Sequence, residues 1–314
     1  MHVLHVVAMK SSASSPTPVA HPALVAQCRA LASYDLFTYE TGGIWAYLKA
    51  RRLLAHRIRK GQYDIVHAHF SRSGLIAILA SRRVPIVVSF MGSDILGRSI
   101  SNKIIKVLVE LYSKHMIVRS SEMASRLFTK NKFSVIPTGV DLDEFEEIDR
   151  EAARSELELS QRKQYVLFAA NPNRKEKNYS LAKQAFGLLR QSREDLELLT
   201  IFNEPHHRMC LYLNACDALL LTSLYEGSPC IIKEAMACNC PIVATDVGDV
   251  REVIGRTVGC YVTSFDPQDV AAKLRMALSL GRRTSGREAI RHMGRYVIAR
   301  RLAQAYEKVL VSSE

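Results

Sequence analysis

Short apolar runs alternate with helix-patterned stretches twice along this chain, and that alternation restricts the fold more than any single residue does. In the first half, strands are predicted at Val3–Val7, Asp35–Tyr39, Asp64–His67, Pro85–Phe90, Met116–Arg119 and Phe133–Ile136. Helices are predicted between them at Pro22–Leu31, Trp45–Lys60, Gly74–Ala80, Asn102–Tyr112 and Glu122–Phe128. Strands that are apolar throughout, each followed by a helix, imply right-handed crossovers and a parallel sheet covered on both faces. Pro137-Thr138-Gly139 interrupts the series, and the acidic stretch Asp141 to Glu158 reads as a connection between domains. A second alternation starts at Tyr165–Ala169 and continues through a helix at Tyr179–Leu189, a strand at Leu196–Ile201 and a helix near His206–Ala215. Strands at Ala218–Leu221, Pro241–Ala244 and Gly259–Val262 follow, and the end is helical at Pro267–Leu280, Gly286–His292 and Tyr296–Val311. The expected fold class is therefore α/β, with two Rossmann-like doubly wound domains facing a cleft. Ligands of such sheets bind beyond the carboxyl ends of the strands.

Composition decides which partners are worth considering. With 48% apolar and 24% charged residues, the 314-residue chain has the make-up of a soluble globular protein. No apolar run approaches the length of a bilayer-spanning helix. Residues 2–9 lack the basic start of a signal peptide and read as a buried strand. Seven cysteines without a regular framework fit reduced thiols and a cytoplasmic location. The net charge of +12 is uneven: residues 1–140 hold 19 Lys/Arg against 6 Asp/Glu, whereas residues 141–314 hold 24 against 25. A basic first half suits an anionic membrane surface or an acidic substrate, or is simply a solvated face. No nucleic-acid module signature accompanies it, so no nucleic-acid partner is expected.

The loops at predicted strand ends carry the chemistry. The Ala218 strand runs into Glu226 and Gly227, then Ser228 and Pro229. Serine suits a helix cap and proline the first helical position, so the helix should start there and run to about Cys238, with Glu234 about two turns in. The amides of a helix start favour an anion such as a diphosphate, and a carboxylate further along can accept hydrogen bonds from sugar hydroxyls. The plain alternative is a capped core helix bearing two surface glutamates. Arg174 and Lys177, after the Tyr165 strand, can neutralise a diphosphate or be ordinary surface cations. In the first half, His67 and His69 end a strand; as His-x-His they could hold a metal only with further ligands, and no such set is evident. Gly92 would allow close backbone approach, and Asp94 is a candidate hydroxyl acceptor. Asp141 and Asp143 follow a turn and suit local turn duty better than metal binding.

These loops together resemble the family 4 (group 1) glycosyltransferases of GT-B fold. The segments are DIVHAH, GSD, VIPTGVDLDEF, ANPNRKEK, CDALLLTSLYEGSP and KEAMACNCPIVATDVGDVREVI, which span nearly the whole chain. Glu226 and Glu234 match the family's Glu-x7-Glu, and the likeness is closest to members that assemble bacterial surface polysaccharides. The resemblance implies an acceptor-side domain at 1–145, a donor-binding domain at 146–295 and a last helix, 296–314, crossing back to the first domain. It implies a retaining, metal-free transfer without cofactor. Glu226, Arg174 and Lys177 would act in catalysis. Glu234, Gly227, Ser228 and Pro229 would bind the donor, and His69, Gly92 and Asp94 are acceptor-side candidates. Two stretches depart from the family pattern. The loop Met9 to Pro16 has no glycine, and Met91 stands where the family often has histidine.

The resulting expectation is a cytoplasmic enzyme, peripheral on the inner face of the membrane through the basic Arg51–Lys60 helix. It would move a sugar from a UDP- or GDP-sugar to a hydroxyl of a glycan or lipid-linked glycan. The alternatives are a nucleotide-sugar epimerase-like enzyme, or a nucleotide-sugar-binding partner subunit without turnover.

Overall fold

The computed structural model describes residues 1–9, 34–81, 83–97, 99–191 and 193–312. The predicted helix at 22–31 and the loop at 10–16 lie outside the described residues. The chain forms two compact units, Met1–Thr138 with Arg295–Glu314, and Gly139–Gly294.

In the first unit, strands β1 (Val3–Met9), β2 (Tyr34–Glu40), β3 (Ile65–His69), β4 (Ile86–Ser89), β5 (His115–Val118) and β6 (Phe133–Val135) form one sheet in the order β2-β1-β3-β4-β5-β6. Every pairing is parallel. Alternate residues build two cores, as a sheet buried on both faces requires. Leu4, Val6, Val66, Ala68 and Val88 pack under α1 (Ile44–Lys60), α2 (Ser71–Ala80) and α3 (Ile100–Tyr112). Val3, Ile65, Val87 and Ile117 take the opposite face and meet Ile298, Leu302 and Tyr306 of the C-terminal helix Arg295–Val311.

The second unit holds β7 (Gln164–Phe168), β8 (Leu196–Thr200), β9 (Ala218–Leu221), β10 (Ile242–Thr245) and β11 (Cys260–Thr263), in the order β11-β10-β9-β7-β8. Its pairings are parallel as well. Val166, Leu220 and Val243 pack against α4 (Tyr179–Arg190) and α6 (Pro267–Ser279), while Leu167, Leu219 and Ile242 pack with Ile232 and Met236 of α5 (Cys230–Ala237). The C-terminal helix Arg295–Val311 is α7. The acidic stretch read as a connection packs within this unit. Its helix Arg150–Glu156 is anchored by Arg150 and Arg154, which bind the two carboxylate oxygens of Asp217 at 2.9 and 2.8 Å.

Candidate functional site

The predicted donor residues gather at the carboxyl end of the second sheet. After β7 the chain makes a single 3-10 turn, Lys175–Lys177, and Asn178 adopts a left-handed conformation (φ 50°) that starts α4. After β9, Thr222 donates to the carbonyls of Lys177 and Asn178, each at 3.0 Å, and Leu224 N–H donates to Glu176 O at 2.8 Å. These bonds stitch the two strand-end loops side by side. Lys177 Nζ then meets Glu226 Oε1 at 2.5 Å, and Ser223 Oγ donates to the same oxygen at 2.8 Å. Lys177 and Glu226, 49 residues apart in sequence, thus form one ion pair. Arg174 lies on the same loop but is more exposed and binds Glu176.

The start of α5 differs from expectation. Pro229, not Ser228, holds the cap position, the first helical residue is Cys230, and no side-chain cap is made. The Ser228 hydroxyl is drawn elsewhere, donating to Asp249 Oδ2 at 2.6 Å and accepting from Lys233 Nζ at 2.8 Å. Lys233 is fully buried and pairs with Asp249 at 2.8 Å. A buried ammonium needs such a partner, and that requirement outweighs capping. The loop Glu226–Gly227 is fixed from a second side by Gly248, whose φ of +60° suits glycine. A Cβ there would lie 2.8 Å from Gly227 O and 3.0 Å from Glu226 O.

Glu234 is the fifth residue of α5, a little over one turn in, and the helix starts one residue later than predicted. It is 6% exposed and accepts from His206 Nε2 at 3.0 Å. The His206 imidazole also lies 3.6 Å from Glu144 and edge-on to Phe145. The Glu234 carboxylate beside it, with help from Glu144, holds His206 above its ordinary pKa. His206 was missed from sequence, where it sits in a predicted helix; it occupies instead the 3-10 turn His206–Arg208.

In the first unit the acceptor-side candidates turn inward. Asp94 accepts from the amides of Ser71, Met91 and Gly92 at 2.9, 3.0 and 3.1 Å, so its carboxylate ties the loop after β4 to the start of α2. Burial raises its pKa, and these amides oppose the rise. Gly92, at φ 121°, makes the turn that permits this clamp. Met91 Sδ lies 3.4 Å from the Arg119 guanidinium. His69 is buried and its Nε2 lies 3.0 Å from His5 Nδ1. His67, beside them, binds Tyr306 of α7 and Ser89. His5 is a third imidazole that sequence inspection did not associate with His67 and His69, yet β1 and β3 pair in a register that sets His5 against His67. The three rings could bring one nitrogen each within 4.8 Å, but both His67 nitrogens are engaged by hydroxyls. Burial lowers the pKa of all three, His5 to about 3. Asp141 accepts from the amides of Asp143 and Glu144, the turn duty expected of it.

With this geometry in place, two family matches are informative. Residues 2–144 match Glycosyltransferase Family 4, and residues 197–279 match Glycosyl transferases group 1. The chain belongs to the family 4, group 1 glycosyltransferases. Among relatives of this chain, a putative teichuronic acid biosynthesis glycosyltransferase, TuaC of Bacillus subtilis, is 24% identical over 62% of this chain and 56% of its own. D-inositol 3-phosphate glycosyltransferase 2 of Catenulispora acidiphila is 24% identical over 75% of this chain and 68% of its own. The chain therefore spans little more than half to two thirds of the length of these relatives. Sucrose-phosphate synthase of Thermosynechococcus elongatus shares the fold with a TM-score of 0.78 at 15% identity, covering 99% of this chain and 100% of that one. Anabaena HepE in complex with UDP-glucose gives 0.73 at 17%, covering 98% and 100%. The fold is GT-B, in agreement with the two parallel sheets. No described helix is long and apolar enough to cross a membrane.

Proposed function

We propose that this glycosyltransferase moves a sugar from a UDP- or GDP-sugar to a hydroxyl of a glycan or lipid-linked glycan, with retention at the anomeric carbon, in polysaccharide assembly. The observation that carries the donor half is the Lys177–Glu226 pair at 2.5 Å, on the loop that leads into α5, the helix that bears Glu234 and its His206 partner. In this reading Glu234 accepts the ribose hydroxyls, and His206 orients its carboxylate. Glu226 accepts hydroxyls of the donor sugar, and Gly227, Ser228 and Pro229 line the sugar–phosphate pocket. Lys177 and Arg174, held by Glu226 and Glu176 before the donor arrives, turn to the diphosphate.

The reaction breaks the bond from the anomeric carbon to the diphosphate oxygen and forms one to the acceptor oxygen. The acceptor proton passes to the departing phosphate on the same face. Charge accumulates on the leaving group, so the two cations stabilise the transition state more than the ground state. Loss of one such charged contact costs on the order of a hundredfold in rate. The TuaC name motivates the polysaccharide assignment, and the HepE complexes motivate a nucleotide-sugar donor. His69, Gly92 and Asp94 remain the acceptor-side set, with Gly92 and Asp94 shaping the loop after β4. The proposed transfer needs no metal or other cofactor.

The test is sugar transfer from UDP- or GDP-sugars to an acceptor extract, with the anomeric configuration of the product read by NMR. Transfer with retention, unaffected by EDTA and lost in Glu226→Ala, is expected. An inverted product, or full activity in Glu226→Ala, would overturn the assignment.

A further inference from the structure

On a surface helix the outward face should be the polar one, and α3 breaks that rule. Ile100, Ile104, Val107 and Leu111, spaced to fall on one side, are all exposed, Ile100 at 75%. The opposite side of α3 is already satisfied by the core, where Val109 is buried and Glu110 accepts from the amides of Phe128 and Thr129. The outward stripe therefore has no role in closing the domain core. Its neighbours extend it. Arg72 of α2 donates to Tyr47 of α1 and Asn102 of α3, so the three helices lie side by side. Leu79 of α2 is exposed, as are Trp45 (80%) and Leu48 of α1. Between α2 and α3 runs a groove of about 910 Å³, lined by Leu75, Leu79, Leu108 and Leu111 with Arg83 and Lys114.

The charge around this apolar face is one-sided. From Ile44 to Lys114 the sequence has 13 Lys/Arg and 3 Asp/Glu. Of the three acids, Asp94 is clamped onto backbone amides, and Glu110 is buried and bound to Lys106 at 2.5 Å. Only Asp64, at the start of β3, is left near the surface, and it lies beside the Met1 amino group. On α1 the exposed residues interleave both kinds: Trp45, Leu48, Arg52, Leu53, Arg59 and Lys60. Apolar side chains that insert, an indole near the boundary and cations that meet headgroups are the three parts of an interfacial binding face.

We infer that the face formed by α1, α2 and α3 docks on an anionic lipid bilayer. The α3 stripe and Trp45 enter the headgroup–acyl boundary, and Arg52, Arg59 and Lys60 meet lipid phosphates. This places the contact mainly on α3, whereas the sequence pointed to the basic helix α1 alone, and it does not depend on the transfer chemistry proposed above.

The test is co-sedimentation of the full chain with vesicles of phosphatidylglycerol and phosphatidylcholine, against vesicles of phosphatidylcholine alone. Binding should require the anionic lipid and weaken steeply from 50 to 500 mM salt. Ile104→Ser with Leu111→Ser should weaken it on the order of a hundredfold. Replacing Arg52, Arg59 and Lys60 by Gln should weaken it by about fivefold per charge. All these side chains are exposed, so both variants should keep the wild-type melting temperature, which verifies that they fold. Binding that ignores anionic lipid, or that survives the α3 substitutions, would overturn the inference. So would a concentration-dependent dimer that Leu111→Ser converts to monomer, because the stripe would then be an interface between copies.

Discussion

The Lys233–Asp249 pair offers the sharpest test of how the strand-end loops of the second unit are held. Lys233 is fully buried, and its ammonium binds Asp249 at 2.8 Å and Ser228 at 2.8 Å. Removing one partner leaves an uncompensated charge in the interior, which costs about 3–5 kcal/mol. Replacing both by apolar residues of similar volume is often close to neutral. Asp249→Leu should therefore destabilise the second unit by that amount. At roughly 2–4 °C per kcal/mol for a unit of this size, the melting transition falls by about 6–20 °C. Lys233→Met should cost a similar amount, since either ion left alone keeps only the Ser228 hydroxyl. Lys233→Met with Asp249→Leu should recover most of the loss, giving a coupling energy of at least about 2 kcal/mol in the double-mutant cycle. Calorimetry reads the transition, and a nucleotide titration on the same proteins reads whether Ser228 has shifted. Single variants that each cost under about 1 kcal/mol and simply add in the double variant would refute this reasoning. The pair would then be a passive contact.

Two further outcomes follow from the geometry. Gly248→Ala would drive a methyl group against the carbonyls of Glu226 and Gly227 at a positive φ. It should destabilise by on the order of 1–2 kcal/mol and weaken nucleotide-sugar more than nucleotide in parallel titrations; equal weakening would mean that the loop does not shape the sugar pocket. The first unit should be acid-labile, because His5, His67 and His69 are held neutral by burial, with pKa values below those of the unfolded chain. The unfolded state binds more protons below about pH 6.5, so stability is full above that value and falls as pH drops below it. Each histidine contributes a slope of up to roughly 1.4 kcal/mol per pH unit. Urea unfolding at pH 7.5, 6 and 5 checks this, and a pH-independent midpoint for the first unit would contradict it.

Much of the fold was legible because strands buried on both faces announce themselves as continuous apolar runs. The runs at residues 86–88 and at Ala218–Leu221 read as buried strands, and helices between successive strands implied parallel pairing. What sequence misjudged were side chains claimed by distant partners. Ser228 before Pro229 has the local signature of a cap, but Lys233 and Asp249 take its hydroxyl. Asp94 reads from the sequence as an acceptor at a strand end, and the fold adds three backbone amides that bind its carboxylate. His5 and His69 are 64 residues apart, and only strand register brings them together. His206 had no local signal, since its importance comes from Glu234, 28 residues later. The Lys177–Glu226 contact is the counterpart. Sequence placed both residues on strand-end loops of one sheet, and the order β9-β7 makes those loops neighbours.

In the proposed reaction the second unit binds a nucleotide-sugar through Glu234. The most direct measurement is the shift in melting temperature of wild type and Glu234→Ala with UDP and GDP. For the nucleotide that belongs to the donor, wild type should gain about 2.7 kcal/mol at a hundredfold excess over Kd. Glu234→Ala loses a carboxylate that would accept two hydroxyls, at about 1.5–3 kcal/mol for a charged hydrogen bond, and so should lose most of that gain at the same concentration. No shift with either nucleotide in wild type, or an equal shift in Glu234→Ala, would contradict the account.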